Sequence, residues 1–157
     1  MKELKPLLEE LGYENVRTYI QSGNVVFDAP ASKGLGTEIE KAISKAFDLD
    51  IPVVMRSRAQ LKRVSDGNPF LTKDADTATL HVMFLAEKAK AAAIKTLDPD
   101  RSPPDEFAVK GTEVYLRYPN GLGRSKLSAG YIEKKLGVRG TVRNWRTVTK
   151  LLEMMNE

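Results

Sequence analysis

Apolar residues recur at Leu4, Leu7, Leu8 and Leu11, the i, i+3, i+4, i+7 spacing of one helical face, and Gly12 closes the pattern. Period two then takes over. Val16 to Ile20 alternates, Gln21-Ser22-Gly23-Asn24 supplies turn residues, and Val25-Val26-Phe27 is a second short run. Together they predict a β-hairpin. After a loop over Pro30 to Gly34, helical spacing returns at Leu35, Ile39, Ala42, Ile43 and Phe47. Ile51 to Met55 predicts a strand, with Pro52 near its start where a lost N–H costs least. Ser57 predicts the cap of a short helix carrying Leu61 and Val64.

Beyond Asn68-Pro69-Phe70 the alternation begins again. Thr79 to Leu85 predicts a strand and Glu87 to Leu97 an Ala/Lys-rich helix. Phe107 to Val109 and Val114 to Tyr118 flank Gly111 as a second hairpin. Gly121 and Gly123 mark a loop, and Ser128 to Leu136 is a helix ended by Gly137. Val138 to Arg143 is a strand, Asn144 a cap, and Trp145 to Met155 the last helix. Its stripe of Trp145, Val148, Leu152 and Met155 places the tryptophan in a core.

The second half therefore reads βαββαβ plus a helix, and the first half αββαβ plus a helix. Their junctions match: Val54-Met55-Arg56-Ser57 and Thr141-Val142-Arg143-Asn144 are each a strand, an Arg and a polar cap. The expected fold is α+β, two ferredoxin-like units related by duplication. The first covers residues 1–67, the second 78–157, with 68–77 as linker. The first unit lacks its opening strand. In that strand order the absent strand lies inside the sheet, leaving two backbone edges unpaired. The chain is expected to borrow a strand from a partner, which would make an oligomer through the first sheet, to rearrange that sheet, or to be less stable than a version with upstream residues.

The 157 residues contain no cysteine, which removes disulfides, thiolate metal sites and cysteine nucleophiles, and suits a reducing, cytoplasmic setting. No stretch approaches the ~18 apolar residues of a bilayer span, and Met1-Lys2-Glu3-Leu4-Lys5-Pro6 carries no secretory apolar run. A soluble protein is expected, without membrane, metal or cofactor. Net charge is +4 but uneven: residues 110–157 hold ten Lys/Arg against four Asp/Glu, and residues 1–109 fifteen against seventeen. Such polarity points to a polyanionic or phosphorylated partner.

Candidate chemistry follows the charge. Gly121-Leu122-Gly123-Arg124-Ser125-Lys126 precedes a helix, where bare backbone N–H groups with Arg124, Ser125 and Lys126 suit an anion. Its spacing is not that of a Walker loop. Arg143 and Asn144 stand at a strand end and helix start, a place for a carboxylate or phosphate, or for a local ion pair. Alternation puts Arg17 and Tyr19 on one hairpin face, and Tyr115 and Arg117 on another. On an open sheet face such pairs stack bases; otherwise the two sheets pack on each other. His81, the lone histidine, sits in an alternating strand and supports neither a zinc site nor a catalytic triad.

Three stretches carry a family resemblance. They are Val16 to Phe27 (VRTYIQSGNVVF), Gly123 to Leu127 (GRSKL), and Arg143-Asn144-Trp145 with Thr147-Val148 and Lys150-Leu151. In order and spacing the chain resembles the domain of unknown function 1697 family, with Asn68-Pro69-Phe70 as a fourth match. The resemblance implies the duplicated α+β fold and a bacterial cytoplasmic setting, and it implies no activity. It also implies an upstream strand and a Gly-rich loop that this chain lacks, the strand that the duplication demands. The function expected is binding of an anionic partner by the C-terminal half, nucleic acid first. The alternative is an enzyme or sensor for a small phosphorylated or carboxylated metabolite held between the halves.

Overall fold

The computed structural model describes residues 4–19, 24–29, 34–49, 53–72 and 75–156. They form an α+β protein with two antiparallel sheets and, among the described residues, six α-helices. The chain divides into two compact units, residues 1–55 with 151–157, and residues 56–150.

In the first unit, α1 (Leu4–Glu10) leads into β1 (Glu14–Tyr19), which pairs antiparallel with β2 (Asn24–Asp28), and α2 (Leu35–Phe47) follows. Leu8, Tyr13, Val16, Ile39 and Ile43 make the buried core, and Tyr13 stacks on Phe27 at 4.8 Å. Leu4, Leu7, Val25, Phe27, Val53 and Met55 pack against it while only partly buried. The expected turn at Gln21-Ser22-Gly23 lies outside the described residues, as do Ile51 and Pro52.

The expected strand at Ile51 to Met55 is not formed over its described residues, Val53 to Met55. A strand exists only when its backbone has a ladder to join. Here the Val53 N–H instead donates to the Glu40 carboxylate of α2 at 2.6 Å. A polar side chain has taken the place of a neighbouring strand.

The second unit opens with α3 (Arg58–Asp66), and the expected linker residues fall after it within the same unit. Ser57 caps α3 in a reciprocal capping box with Gln60. Next come β3 (Leu80–Leu85), α4 (Ala91–Ile94), β4 (Glu106–Lys110), β5 (Glu113–Arg117), α5 (Ala129–Leu136) and β6 (Gly140–Asn144). The four strands are antiparallel in the order β4-β5-β3-β6. The last helix, α6, spans Trp145–Met155. Gly140 is fixed by close approach: a Cβ there would sit 2.9 Å from the Phe84 carbonyl oxygen.

The helix expected over Glu87 to Leu97 shrinks to the single turn of α4. Lys90 occupies its cap position without a side-chain hydrogen bond, and alanine propensity alone does not overcome the cost of nucleation. The preceding backbone extends the sheet instead, with Ala86 N–H donating to Arg139 O at 2.7 Å.

Both faces of this sheet are covered. Met83, Leu85, Val114 and Leu116 meet Leu97, Ile132 and Leu136 on one side. On the other, the buried Tyr115 hydroxyl donates to Val64 O of α3 at 2.9 Å. Burying Leu61 and Val64 of α3 is worth about 1.5–3 kcal/mol each. The open base-stacking face expected from Tyr115 and Arg117 is therefore absent. Tyr115 lies under α3, and Arg117 pairs with Glu106 at 2.7 Å.

Arg56 fastens α3 there. Its Nε donates to Glu113 Oε2 at 3.0 Å, and its Nη2 to Leu85 O and Thr112 O at 2.9 and 3.0 Å. Its guanidinium also lies 5.4 Å from the Phe84 ring centroid. Arg56 and Glu113 side chains are only 14% and 15% exposed, so losing one partner strands the other charge in a poorly solvated place. Arg56→Ala is expected to cost about 3 kcal/mol in urea unfolding. The double variant Arg56→Met, Glu113→Leu should cost less than the sum of the two single changes.

Candidate anion-binding surface

Sheet register decides which loops meet. β3 begins where β5 and β6 end, since Leu80 opposes Arg117 and His81 opposes Asn144. The segment after β5 and the start of α6 therefore emerge at the same end of the sheet. Tyr118 N–H donates to Thr79 O there at 2.8 Å. Arg124, Ser125, Lys126, Arg143 and Asn144, separate motifs in the sequence, are gathered at this end.

The Gly121–Lys126 loop uses some of its backbone amides on itself. Residues Leu122–Arg124 form a 3-10 turn, and Ser125 N–H closes it on Leu122 O. Lys126 N–H donates to Ser102 Oγ at 3.0 Å and Leu127 N–H to Ser125 Oγ at 2.9 Å. The helix α5 starts only at Ala129, capped by Ser128. The Gly121, Ser125 and Lys126 amides are thus used in shaping the loop. Arg124 and Lys126 are exposed.

A third cation joins them that sequence reading missed. Arg101 Nε donates to Lys126 O at 3.3 Å, and its guanidinium lies 4.3 Å from the Tyr131 ring centroid. No local motif announces this, because the contact joins loops 25 residues apart. Beneath the loop, the buried Tyr118 hydroxyl donates to Leu127 O at 2.8 Å. Burial raises the Tyr118 pKa, with a smaller push from Asp105.

Asn144 ends β6 and caps α6, its Oδ1 accepting from Thr147 N–H at 2.8 Å. Asn144 also borders a half-open cleft of about 390 Å³ with Thr77, Ala78, Trp145, Arg146 and Thr149. Trp145 is otherwise a core residue, 4% exposed. Arg143 points to the sheet face opposite Asn144. It is half-buried, and Nη1 donates to Thr141 Oγ1 at 2.5 Å and Val142 O at 2.9 Å. Burial lowers its pKa.

Arg17 and Tyr19 belong to the first unit, on β1. Arg17 is half-buried, with Nη1 donating to Met154 O at 2.5 Å and Nε to Asn15 O at 3.2 Å. Tyr19 is half-buried, and its carbonyl accepts from Asn24 Nδ2 at 3.4 Å. Among the described residues no cluster of His, Asp and Glu fits a metal ion, and no helix is long and apolar enough to cross a membrane.

His81 stands at the same sheet end, edge-on to Tyr118 with ring centroids 5.2 Å apart. Its Nδ1 is shut from solvent without a hydrogen bond of normal geometry among the described residues. Burial lowers its pKa below 6.5, and attraction to the Thr79 backbone offsets this only in part. The folded state thus prefers neutral imidazole. The stability this contributes is present above pH 6.5 and is lost as pH falls through the lower folded value. Wild-type unfolding free energy should drop on acidification in that window, and the drop should shrink in His81→Asn when both are followed by chemical denaturation.

Comparison with known proteins agrees with this architecture. A solved structure described as a conserved bacterial protein from Streptococcus pneumoniae superposes with a TM-score of 0.72 at 21% identity, covering 100% of this chain and 89% of that one. That likeness establishes the shared fold. Among curated proteins, none matches. The family model described as Protein of unknown function (DUF1697) matches residues 1–115. With nearly three-quarters of its length matched, the chain belongs to the DUF1697 family.

Proposed function

We propose that the protein binds a polyanion, single-stranded nucleic acid in the first place, through basic loops at one end of the second unit's sheet. The observation that carries this reading is the group of Arg101, Arg124 and Lys126. All three are exposed on two contacting loops, and none forms an ion pair among the described residues. Exposed cations without carboxylate partners are a solvated nuisance to the fold and a natural match for phosphates. With the sheet faces covered, recognition rests on the phosphate backbone and not on base stacking.

Replacing Arg124 and Lys126 together by Ala should weaken oligonucleotide binding and flatten its salt dependence. For single strands the log–log slope should lose about 0.7 per phosphate contact removed. Melting temperature should barely move, because exposed basic residues contribute little to folding. Unchanged affinity and slope in fluorescence anisotropy would sink the reading.

The fold carrying this surface is, on the same reading, a duplicated ferredoxin-like pair. Two helix caps support it: Ser57 Oγ accepts from Gln60 N–H, and Asn144 Oδ1 from Thr147 N–H, each three residues on and each just after an Arg. An experimental structure should superpose β1, β2 and α2 on β4, β5 and α5, with Arg56 over Arg143. A different strand order in the first unit would end the duplication claim.

A further inference from the structure

The opposite end of the second sheet holds a separate cleft of about 360 Å³, between α3 and the tip of the β4–β5 hairpin. Gln60, Arg63, Val64 and Gly67 line one wall, and Lys110 with Glu113 the other, Arg56 closing the end. Three cations therefore face one carboxylate. Arg56 already neutralises Glu113, whose Oε2 also accepts from Thr112 Oγ1 at 2.5 Å. That leaves Arg63 and Lys110. Arg63 is exposed and has no ion pair among the described residues. Lys110 Nζ donates to Gly67 O at 3.0 Å and lies 5.7 Å from the Tyr115 ring centroid. Neither contact cancels its charge.

We infer that this cleft binds a small doubly charged oxyanion of the phosphate-monoester class. Two uncompensated cations match its two charges. Arg63 offers a planar fork of N–H donors, suited to bidentate contact with phosphate oxygens. Lys110 keeps two N–H donors beyond the one given to Gly67. The Gln60 side-chain oxygen is occupied by Ser57 N–H at 2.8 Å, so its remaining group is a donor as well. The volume sits at the lower end of small-ligand pockets, enough for one oxyanion and a short organic body. Charge, donors and size agree, and the site shares no residue with the basic loops at the other end.

The test is an amide-resolved NMR titration of the full chain with inorganic phosphate, against sodium chloride at matched ionic strength. Phosphate should give saturable shifts at Arg63, Gly67, Lys110, Gly111 and Thr112, and chloride should not. Arg63→Ala should weaken the midpoint about tenfold, the scale of one lost charge-assisted contact. Arg63 is exposed, so that variant keeps the fold, and Lys110→Met gives an independent second reading. Arg124→Ala with Lys126→Ala should leave phosphate binding at the cleft intact, and Arg63→Ala should leave oligonucleotide binding intact. Non-saturating shifts, shifts reproduced by chloride, or a midpoint insensitive to Arg63→Ala would each overturn the site.

Discussion

The second unit depends on one arginine. Arg56 reaches from the residue before the α3 cap to the end of β3 and the β4–β5 turn, joining Glu113, Leu85 O and Thr112 O. A guanidinium with only 14% exposure is costly to desolvate, and it persists because several partners together replace its water. Its effect on architecture is larger than its energy. With that anchor in place, α3 lies on the sheet and Tyr115 reaches Val64 O, so the second face becomes core.

That covering moves the chemistry. An antiparallel sheet with one bare face offers a platform for bases; a sheet covered on both sides offers only its ends. At one end β3 starts while β5 and β6 stop, so the segment after β5 and the Asn144 cap both leave the sheet there. At the other end the β4–β5 tip meets α3. Basic side chains collect at both ends because charge is excluded from the faces, and burial there lowers even the pKa of Arg143.

Periodicity read most of the second unit correctly, because its strands alternate and its helices carry caps: Ser128 and Asn144 both accept the N–H that their position predicts. It failed where formation depended on a distant partner. Val53 to Met55 has strand composition but forms no ladder among the described residues, and Glu87 to Lys90 has helix composition but no side-chain cap. The candidate site was legible as residue types and not as geometry. Arg124 and Lys126 stood out by charge, whereas Arg101 joins them only through a loop contact across 25 residues. The glycines at 121 and 123 suggested an anion cradle, and Ser102 and Ser125 take the amides of Lys126 and Leu127 just beyond them.

This division of labour within the loop carries a consequence for recognition. Backbone amides that bind an anion impose fixed geometry and select a shape, as helix-start phosphate sites do. Here the Ser125, Lys126 and Leu127 amides are spent internally, so that stretch meets a ligand with its side chains. The Tyr118 hydroxyl holds Leu127 O from below. Long flexible cations on a fixed base read charge density along a chain better than they read one group. The Arg63–Lys110 cleft has the reverse balance: a short hairpin tip and a helix hold two cations over a bounded volume. On the proposed reading, one end of the sheet suits an extended anion and the other a compact one.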